Sequence, residues 1–411
     1  YSLVRMAGLQ SFFPRPDRSS FARRVERRLR DQGIVGPIEF DSGAFALRLS
    51  DGVREHTLSL ENVYADCGRC LPWRRSRLVR GFLATALDTS NDVPLRWEAV
   101  RERVLPAVRH RLFIEASRLF ALAAGKEPED HPFEAVAGGV VTLLAYDAPK
   151  LISLPSATVQ QSWGISFGEA LARAISNLDR MSEPRWSSPA RGVYVSGWQD
   201  DYDCSRILSE PALRGLAVDG SMVAIIPDRN CLVVTGLGDP EALKTALELV
   251  AGRANPRPVS TIPLVRSWPG WETLELAAIH PCYALWRRLV LEERADVHEQ
   301  QKRALESLFA RLGRDVFVAS FTVTEDPSGY RCSRCVWTAG AVSLLPETDL
   351  IGLVDMSRPE GQQLLGWFDA GTLRERCGKL LKPTDFYPIR YQVESFLSEG
   401  EIEAIRASAP A

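Results

Sequence analysis

The chain is poor in lysine, histidine and methionine, and it lacks any long apolar run. Only 6 of its 50 basic residues are Lys, and 5 His and 4 Met are spread over 411 residues. No stretch of 18 apolar residues is present, which argues against a membrane-spanning helix. The 8 Cys are far too sparse for a disulfide scaffold, and the N-terminal stretch lacks the apolar core of a signal peptide. These absences favour a cytoplasmic protein with reduced thiols.

An excess of charge of one sign is also absent. The 50 basic and 52 acidic residues give a net charge of −2, so no overall field directs the chain to nucleic acid or to an anionic membrane. The 44 Arg are scattered along the whole chain, a composition typical of a GC-rich bacterial genome. We therefore expect neither a nucleic-acid partner nor a membrane partner, and the sequence predicts no cofactor.

What is present is an apolar content of 45%, enough for substantial cores, in an order that predicts an α+β fold. A helix over 20–33 has apolar residues at four-residue spacing, and the strand-like runs PIEFD, AFALRLS and EHTLSL follow it. The Pro-containing segments GKEPEDHP and RANPRP are typical of linkers. The sequence thus predicts three successive α+β units, over 1–124, 133–252 and 258–411, with antiparallel sheets covered by helices.

Further elements are predicted from periodicity and turn residues. Helices are expected over 74–87, 95–104, 111–124, 240–252 and 285–312, with helical pieces near 362–368 and 372–381. Hairpins are expected around the turn 227–230 and over 316–338. On the long helix, an apolar stripe of Val297, Leu305, Leu308 and Leu312 predicts one buried side, covered by the 316–338 hairpin.

The stretch DDYDCSR, residues 200–206, concentrates three carboxylates, a thiol and a guanidinium. A hard cation would use several of these oxygens, but the Gly turn and the following Glu of a calcium loop are missing. A local role is the favoured interpretation: Asp203 caps a helical turn that begins at Cys204, and Arg206 pairs with a nearby carboxylate. The stretch nevertheless supplies the candidate binding residues Asp200, Tyr202, Asp203, Arg206 and, from the following turn, Arg229.

Two other patterns invite a chemical interpretation. Ser166 lies in a G-x-S-x-G stretch, but polar residues precede it where a nucleophile elbow needs a buried strand, so Ser166 and Glu169 are interpreted as a capping box. The C-x-x-C pairs Cys67/Cys70 and Cys332/Cys335 have the internal spacing of zinc ligands. About 260 residues separate them, far beyond the spacing of a zinc ribbon, so zinc is the less favoured interpretation.

Five short patterns follow one another within residues 20–252: Leu105–Arg109 (LPAVR), Ala174–Leu178 (AISNL), Asp200–Leu208 (DDYDCSRIL), Met222–Pro227 (MVAIIP) and Arg229–Asn230 (RN). In these patterns the chain resembles the bacterial YtpQ-like family, whose function is not established. The resemblance implies no reaction, and residues from 253 onward lie outside it. The helix, three strands and helix of the first unit also look like the fold of bacterial secretion chaperones, which bind partner polypeptides.

No complete catalytic constellation is visible, so we expect a non-enzymatic cytoplasmic binding or scaffold protein that recognises another polypeptide. The alternative is an enzyme that acts on a phosphorylated small molecule through Asp203, Arg206 and Arg229. A deep pocket that gathers those three residues would favour the enzyme. An apolar groove or a sheet edge in the first unit would favour the polypeptide binder.

Overall fold

The computed structural model describes residues 17–31, 34, 37–42, 45–50, 55–70, 72–86, 93–148, 151–253, 258–326 and 329–408. The chain divides into two compact units: an N-terminal unit of Tyr1–Pro94 with Tyr146–Ser153, and a larger unit of Leu95–Ala145 with Leu154–Ala411. Helices and mainly antiparallel sheets are mixed along the chain, so the fold class is α+β, as the sequence predicts. No helix in the described ranges is long and apolar enough to cross a membrane.

The helices, in chain order, are α1 (Arg18–Asp31), α2 (Glu61–Arg69), α3 (Pro72–Ala86), α4 (Trp97–Val100), α5 (Leu112–Ala123), α6 (Ala157–Ser162), α7 (Phe167–Arg180), α8 (Glu210–Leu213), α9 (Pro240–Ala251), α10 (Tyr283–Leu312), α11 (Ala370–Cys377) and α12 (Glu399–Ser408). A short 3-10 helix covers Cys204–Leu208.

The strands are β1 (Ile38–Asp41), β2 (Ala46–Ser50), β3 (Glu55–Ser59), β4 (Val104–His110), β5 (Glu134–Ala137), β6 (Val140–Asp147), β7 (Ile152–Ser153), β8 (Trp186–Ala190), β9 (Val193–Ser196), β10 (Met222–Asp228), β11 (Cys231–Gly236), β12 (Pro258–Arg266), β13 (Trp271–Thr273), β14 (Phe317–Val318), β15 (Thr322–Glu325), β16 (Arg331–Thr338), β17 (Ser343–Pro346), β18 (Leu350–Val354), β19 (Leu364–Asp369), β20 (Lys382–Pro383) and β21 (Arg390–Val393).

The N-terminal unit is a three-stranded antiparallel meander, in the order β1-β2-β3, covered by helices. The predicted spacing on α1 is confirmed, because Phe21, Val25 and Leu29 are all buried. They pack with Leu47 and other apolar residues of the sheet. The sequence analysis predicted one helix, three strands and one helix. The structure has a further helix, α2, between the third strand and α3.

The larger unit is organised around a six-stranded antiparallel sheet in the order β13-β12-β10-β11-β9-β8. Its central strands are apolar on both faces, which explains the unbroken run Met222–Ile226. Val223 and Ile225 pack against α9 and the first half of α10, while Ala224 and Ile226 pack on the side of the 3-10 helix. Both faces are therefore buried, and β4 and β6 contribute Val108 and Val140 to the second one.

A further sheet has the order β4-β6-β5, with β7 paired to β6. Two four-stranded sheets in the C-terminal part of the larger unit have the orders β14-β17-β21-β20 and β15-β16-β18-β19. The predicted hairpin of β15 and β16 is confirmed, with Thr322 opposite Arg334. Two neighbouring pairs, β14 with β17 and β16 with β18, are parallel. The sheets of this part are thus mixed, whereas the sequence interpretation expected antiparallel ones.

Helix α10 packs on two parts of the larger unit, the six-stranded sheet and helix α5. With 30 residues it is about 45 Å long, and it ends at Gly313 with a φ of 63°. Its first half packs on the six-stranded sheet, and its second half packs along α5. The predicted stripe is confirmed for Leu305 and Leu308 but is wrong for Leu312, which is 53% exposed.

Two predicted helices are wrong. The one over 95–104 is only the single turn α4, and the apolar run after it forms β4, whose seven residues are all buried. The piece near 362–368 is instead the strand β19, where Gly366 has a φ of 147°. Near 362–368, a short apolar run has no period long enough to separate a helix from a strand.

The predicted boundary at 253–258 precedes β12, which lies between β10 and β13 in the six-stranded sheet. The two compact units therefore differ in extent from the three predicted over 1–124, 133–252 and 258–411. Whether the predicted units fold independently stays a question for proteolysis.

Candidate functional site

The DDYDCSR loop follows β9 and runs into the 3-10 helix, and the side chain of Asp203 binds the backbone of the segment before it. The Asp203 side chain is fully buried. Its Oδ1 accepts a hydrogen bond from the backbone N–H of Trp198 at 3.1 Å, and its Oδ2 accepts one from that of Asp200 at 3.3 Å. It makes no capping bond to the helical turn that follows. The predicted cap is therefore wrong: Asp203 closes the loop on its N-terminal side.

Arg206 is fully buried and is held from three directions. Its guanidinium donates two hydrogen bonds to Asp200, at 2.9 and 2.7 Å, which confirms the predicted pairing with a carboxylate. Its Nε donates to Ser182 Oγ at 3.1 Å, and Nη2 donates to the carbonyl of Met181. The guanidinium also lies 4.2 Å from the ring centroid of Trp198. These partners leave Arg206 no access to a ligand.

The charge of Arg206 determines the ionisation of Asp200. Burial on its own raises the pKa of Asp200, but the hydrogen bonds and positive charge of Arg206 outweigh it, so the pKa lies below the ordinary value. Asp200 is therefore a firmly ionised counter-ion at neutral pH.

The remaining two candidates belong to the same assembly. Tyr202 is 2% exposed. The carbonyl of Arg229 accepts a hydrogen bond from the N–H of Cys204 at 3.1 Å, and the side chain of Gln199 donates to the carbonyl of Asn230. The loop thus rests on the turn between β10 and β11. All five candidate residues are brought together, in an arrangement that serves the loop itself.

The C-x-x-C pair at the end of α2 consists of a buried and a half-buried thiol. Cys70 Sγ lies 3.6 Å from the carbonyl of Cys67, to which it donates. Burial raises the pKa of Cys67 to about 11, which disfavours the thiolate that zinc binding and redox chemistry require.

The second C-x-x-C pair lies on β16, where alternate side chains face opposite sides of the sheet. Cys335 is buried, whereas Cys332 contacts Thr324 on the other face. Residues three apart on a strand point to opposite faces, so these two thiols do not grip one ion. Within the described ranges, no group of three or more His, Cys, Asp or Glu side chains is placed to hold a metal ion.

The G-x-S-x-G stretch is a helix start, as predicted. Ser166 Oγ accepts from the N–H of Glu169, and Glu169 Oε2 accepts from the N–H of Ser166 at 2.9 Å. This reciprocal pair is the predicted capping box.

A different part of the larger unit has the features of a ligand site. A cleft of about 510 Å³ is lined by the junction of β4 and α5, the turn between β5 and β6, strands β12 and β13, the middle of α10, and residues 384–389. We call it the His110–Glu293 cleft after two nearly buried side chains in its wall. Its volume suits a small molecule.

His110 is the last residue of β4 and is 9% exposed. Its Nδ1 accepts a hydrogen bond from the N–H of Leu112 at 3.1 Å, so the neutral ring carries its proton on Nε2. Burial lowers the pKa of His110 to about 4, and the ring is therefore neutral at pH 7. Nε2 lies 3.7 Å from Glu293 Oε1, too far for a hydrogen bond.

Glu293 projects from α10 with 11% of its side chain exposed. Its Oε1 accepts from Ser260 Oγ at 2.8 Å, and its Oε2 accepts from both the N–H and the hydroxyl of Thr261. Burial raises the pKa of Glu293, and these hydrogen bonds oppose that rise without cancelling it. A carboxyl group with a raised pKa beside a neutral imidazole is an arrangement found at binding and catalytic sites.

Tyr387 and Gly139 complete this end of the cleft. The ring of Tyr387 lies 5.8 Å from that of His110, and burial together with the charge of Glu293 raises its pKa to about 12. Gly139 fits here because it lacks a side chain: a Cβ would lie 2.5 Å from His110 Nε2 and 2.6 Å from the Tyr387 hydroxyl. Any other residue at 139 would displace one of these two groups.

A buried network fixes the wall formed by residues 384–389. Arg390 is fully buried, and its Nε donates to Gln301 Oε1 at 2.6 Å, while Gln301 Nε2 donates to the carbonyl of Pro388 at 2.5 Å. Arg390 Nη2 also donates to the carbonyl of His298. Burial lowers the pKa of Arg390 to about 10. The wall is therefore anchored to α10.

His298 lines the same cleft and is 4% exposed. Its ring stacks on Phe321 at 4.9 Å, and its Nδ1 has no hydrogen-bond partner among the described residues. Burial, with the charges of Arg390 and Arg294, lowers its pKa to about 3. A buried polar atom without a partner is unusual, and this one belongs to a cleft-lining residue.

Sequence reasoning missed this cleft, although one signal was available on α10. His298 and Gln301 lie seven and four residues before Leu305, at the spacing of the buried face of the helix. Polar residues at buried positions indicate a specific role. No comparable signal distinguishes His110 or Tyr387.

Comparison of the chain with protein-family models, with curated proteins and with solved structures found no match. The resemblance to the YtpQ-like family therefore stays an expectation from the sequence.

Proposed function

We propose that this protein binds a small molecule in the His110–Glu293 cleft. The observation that carries the proposal is the gathering of His110, Glu293 and Tyr387, each with a shifted pKa, in the wall of one cleft of about 510 Å³. Burying such groups costs stability, and clefts that combine them with available volume are typical of ligand sites. Binding alone is proposed, in line with the non-enzymatic role expected from the sequence.

The alternative enzyme, acting through Asp203, Arg206 and Arg229, receives no support from the geometry. Asp203 and Arg206 are fully buried, and their polar atoms are engaged with the loop and its neighbours. A phosphate group could bind Arg206 only by displacing Asp200. That displacement would break the buried ion pair of Asp200 and Arg206, at a large cost in free energy.

The experiment is a ligand-observed NMR screen of a fragment library with two matched variants. Val297→Trp enlarges a half-buried side chain that lines the cleft, whereas Asp296→Trp makes the same addition at an exposed neighbour outside it. We expect fragments to bind the wild type and Asp296→Trp but not Val297→Trp. A wild type that binds no fragment, or fragment binding that Val297→Trp leaves unchanged, would contradict the proposal.

Recognition of another polypeptide is a second candidate function, placed in the N-terminal unit. The observation that favours it is the strand order β1-β2-β3, in which β1 and β3 each have one strand neighbour among the described residues. Edge strands of this kind accept an added strand from a partner. A pull-down from the native host with the full chain, repeated with Glu39→Pro in β1, tests it: a captured polypeptide should be lost with the variant.

A further inference from the structure

The His110–Glu293 cleft carries two guanidinium groups that have no carboxylate partner. Arg111 and Arg294 both line the cleft and are exposed. Arg111 stacks on the ring of Tyr387, with 4.6 Å between the guanidinium carbon and the ring centroid. Arg111, Arg294 and Tyr387 all line this one cleft. Neither forms an ion pair with any residue that the structure describes.

This lack of partners does not reflect a shortage of carboxylates. Glu347 lines the same cleft, but its Oε1 accepts from Arg374 at 2.7 Å. The oxygens of Glu293 are taken by hydroxyl and backbone donors. Asp385, also in the lining, acts electrostatically on Arg118 and contributes to the raised pKa of that guanidinium.

The inner end of the cleft presents hydrogen-bond donors. The Nε2–H of His110 and the hydroxyl of Tyr387 both lie next to Gly139, where a side chain would collide with them, and both residues line the cleft. Neutral donors inside and cations at the mouth make the cleft complementary to an acceptor-rich, negatively charged group.

We infer that the ligand of this cleft carries an anionic group, a carboxylate or a phosphate, held by Arg111 and Arg294. The inference rests on the proposed function, because it assigns the chemical class of the molecule bound there. One guanidinium can recognise two oxygens of either group by two parallel hydrogen bonds.

The experiment measures the affinities of matched compounds by isothermal titration. Each carboxylic acid that the fragment screen finds is compared with its primary amide, and each phosphate monoester with its parent alcohol. The proteins are the wild type, Arg111→Gln, Arg294→Gln and the control Arg303→Gln, which makes the same charge change on α10 outside the cleft lining.

We expect the anionic member of a pair to bind the wild type and Arg303→Gln at least about tenfold more tightly than its neutral counterpart. Arg111→Gln and Arg294→Gln should each erase that preference. The arm in which the preference is larger identifies the group as carboxylate or phosphate.

Two results would overturn the inference, and they differ from each other. If neutral compounds bind in the cleft as tightly as their anionic counterparts, the anionic class is wrong while small-molecule binding stands. If no compound of either charge binds, and Val297→Trp changes nothing, then the proposed function fails and the inference fails with it.

Discussion

The DDYDCSR loop and the His110–Glu293 cleft differ in the burial and the pairing of their charged side chains. In the loop, Arg206 is fully buried and doubly bonded to Asp200. In the cleft, Arg294 is exposed and has no carboxylate partner among the described residues. The charged residues of this loop thus stabilise the loop itself, whereas the guanidinium of Arg294 is exposed in the cleft. Charged residues that lie close together in a sequence therefore need not be available to a ligand in the fold.

The largest expected effect that separates the two regions is a loss of stability in mild acid. The cleft holds His110, with a pKa lowered from 6.5 to about 4, and His298, with one lowered to about 3. Their contribution is fully present above pH 6.5 and is lost as the pH falls toward the lowered values, because the unfolded chain binds the proton first. For His110 alone we expect a loss on the order of 3 kcal/mol between pH 7 and pH 4.

Urea unfolding of the wild type, His110→Gln and the control His280→Gln at pH 7, 5.5 and 4.5 checks this expectation. His110→Gln should lose less stability on acidification than the other two proteins. Glu293 acts in the opposite direction, because its raised pKa makes its burial less costly as the pH falls. The Asp200–Arg206 pair should not contribute in this window, since the pKa of Asp200 lies below 3.8. Equal acid sensitivity of all three proteins would refute the role of His110.

Asp200→Asn should be the most damaging single change in the loop. It removes the charge that compensates Arg206, whose guanidinium is fully buried, and we expect a loss of about 3 kcal/mol in the free energy of unfolding. The matched control is Asp201→Asn, one residue away at a φ of 66°, a conformation that Asn tolerates. Denaturant titration should show less than about 1 kcal/mol for the control. Similar losses for both variants would mean that the ion pair is not what holds the loop.

Asp203→Ala should cost somewhat less, about 2 kcal/mol, because two buried N–H groups lose their acceptor while no charge is left unpaired. A simple helix cap would give about 1 kcal/mol. Thermal unfolding, with fragment binding measured in parallel, checks the result. Unchanged stability combined with lost ligand binding would make the loop, and not the cleft, the functional region.

Arg294→Gln should give the smallest effect on stability, within about 0.5 kcal/mol of the wild type, because an exposed guanidinium without a partner contributes little to folding. The matched change in the loop, Arg206→Gln, should destabilise the protein strongly, since it abolishes the bonds to Asp200 and Ser182. Denaturant titration gives the loss in free energy of unfolding for both variants, so the two losses can be compared directly. A large loss for Arg294→Gln would show that this residue has a structural role.

Local features of the fold could be predicted from the sequence because their partners are close in the chain. The capping box of Ser166 and Glu169 joins residues only three positions apart. The pairing of Arg206 was predicted for the same reason. The role of Asp203 was not, because its bonds depend on the left-handed backbone of Gln199 and Asp201, which turns upstream N–H groups toward it.

The cleft could not be predicted, because the residues of each wall form no recognisable motif within their own segment of the sequence. His110 ends β4, a strand that the sequence analysis did not predict, and Glu293 lies in a helix crowded with charged residues. Contacts between segments distant in sequence bring the walls together, among them the pairing of β12 with β10, the packing of α5 on α10 and the anchoring of Pro388 to Gln301. Such contacts depend on tertiary structure, which periodicity does not encode.

The wall of the cleft formed by residues 384–389 is synthesised late, and this affects what the nascent chain contains during translation. Glu115, next to the β4 wall, accepts a hydrogen bond from the N–H of Tyr387, a residue that is translated 272 positions later. At ordinary speeds of synthesis, that interval lasts roughly 14 to 54 s. Throughout it, β4 and then the central sheet emerge without residues 384–389. A nascent or prematurely stopped chain can thus contain every strand of the six-stranded sheet, the last of which ends at Thr273, and still lack one wall of the cleft.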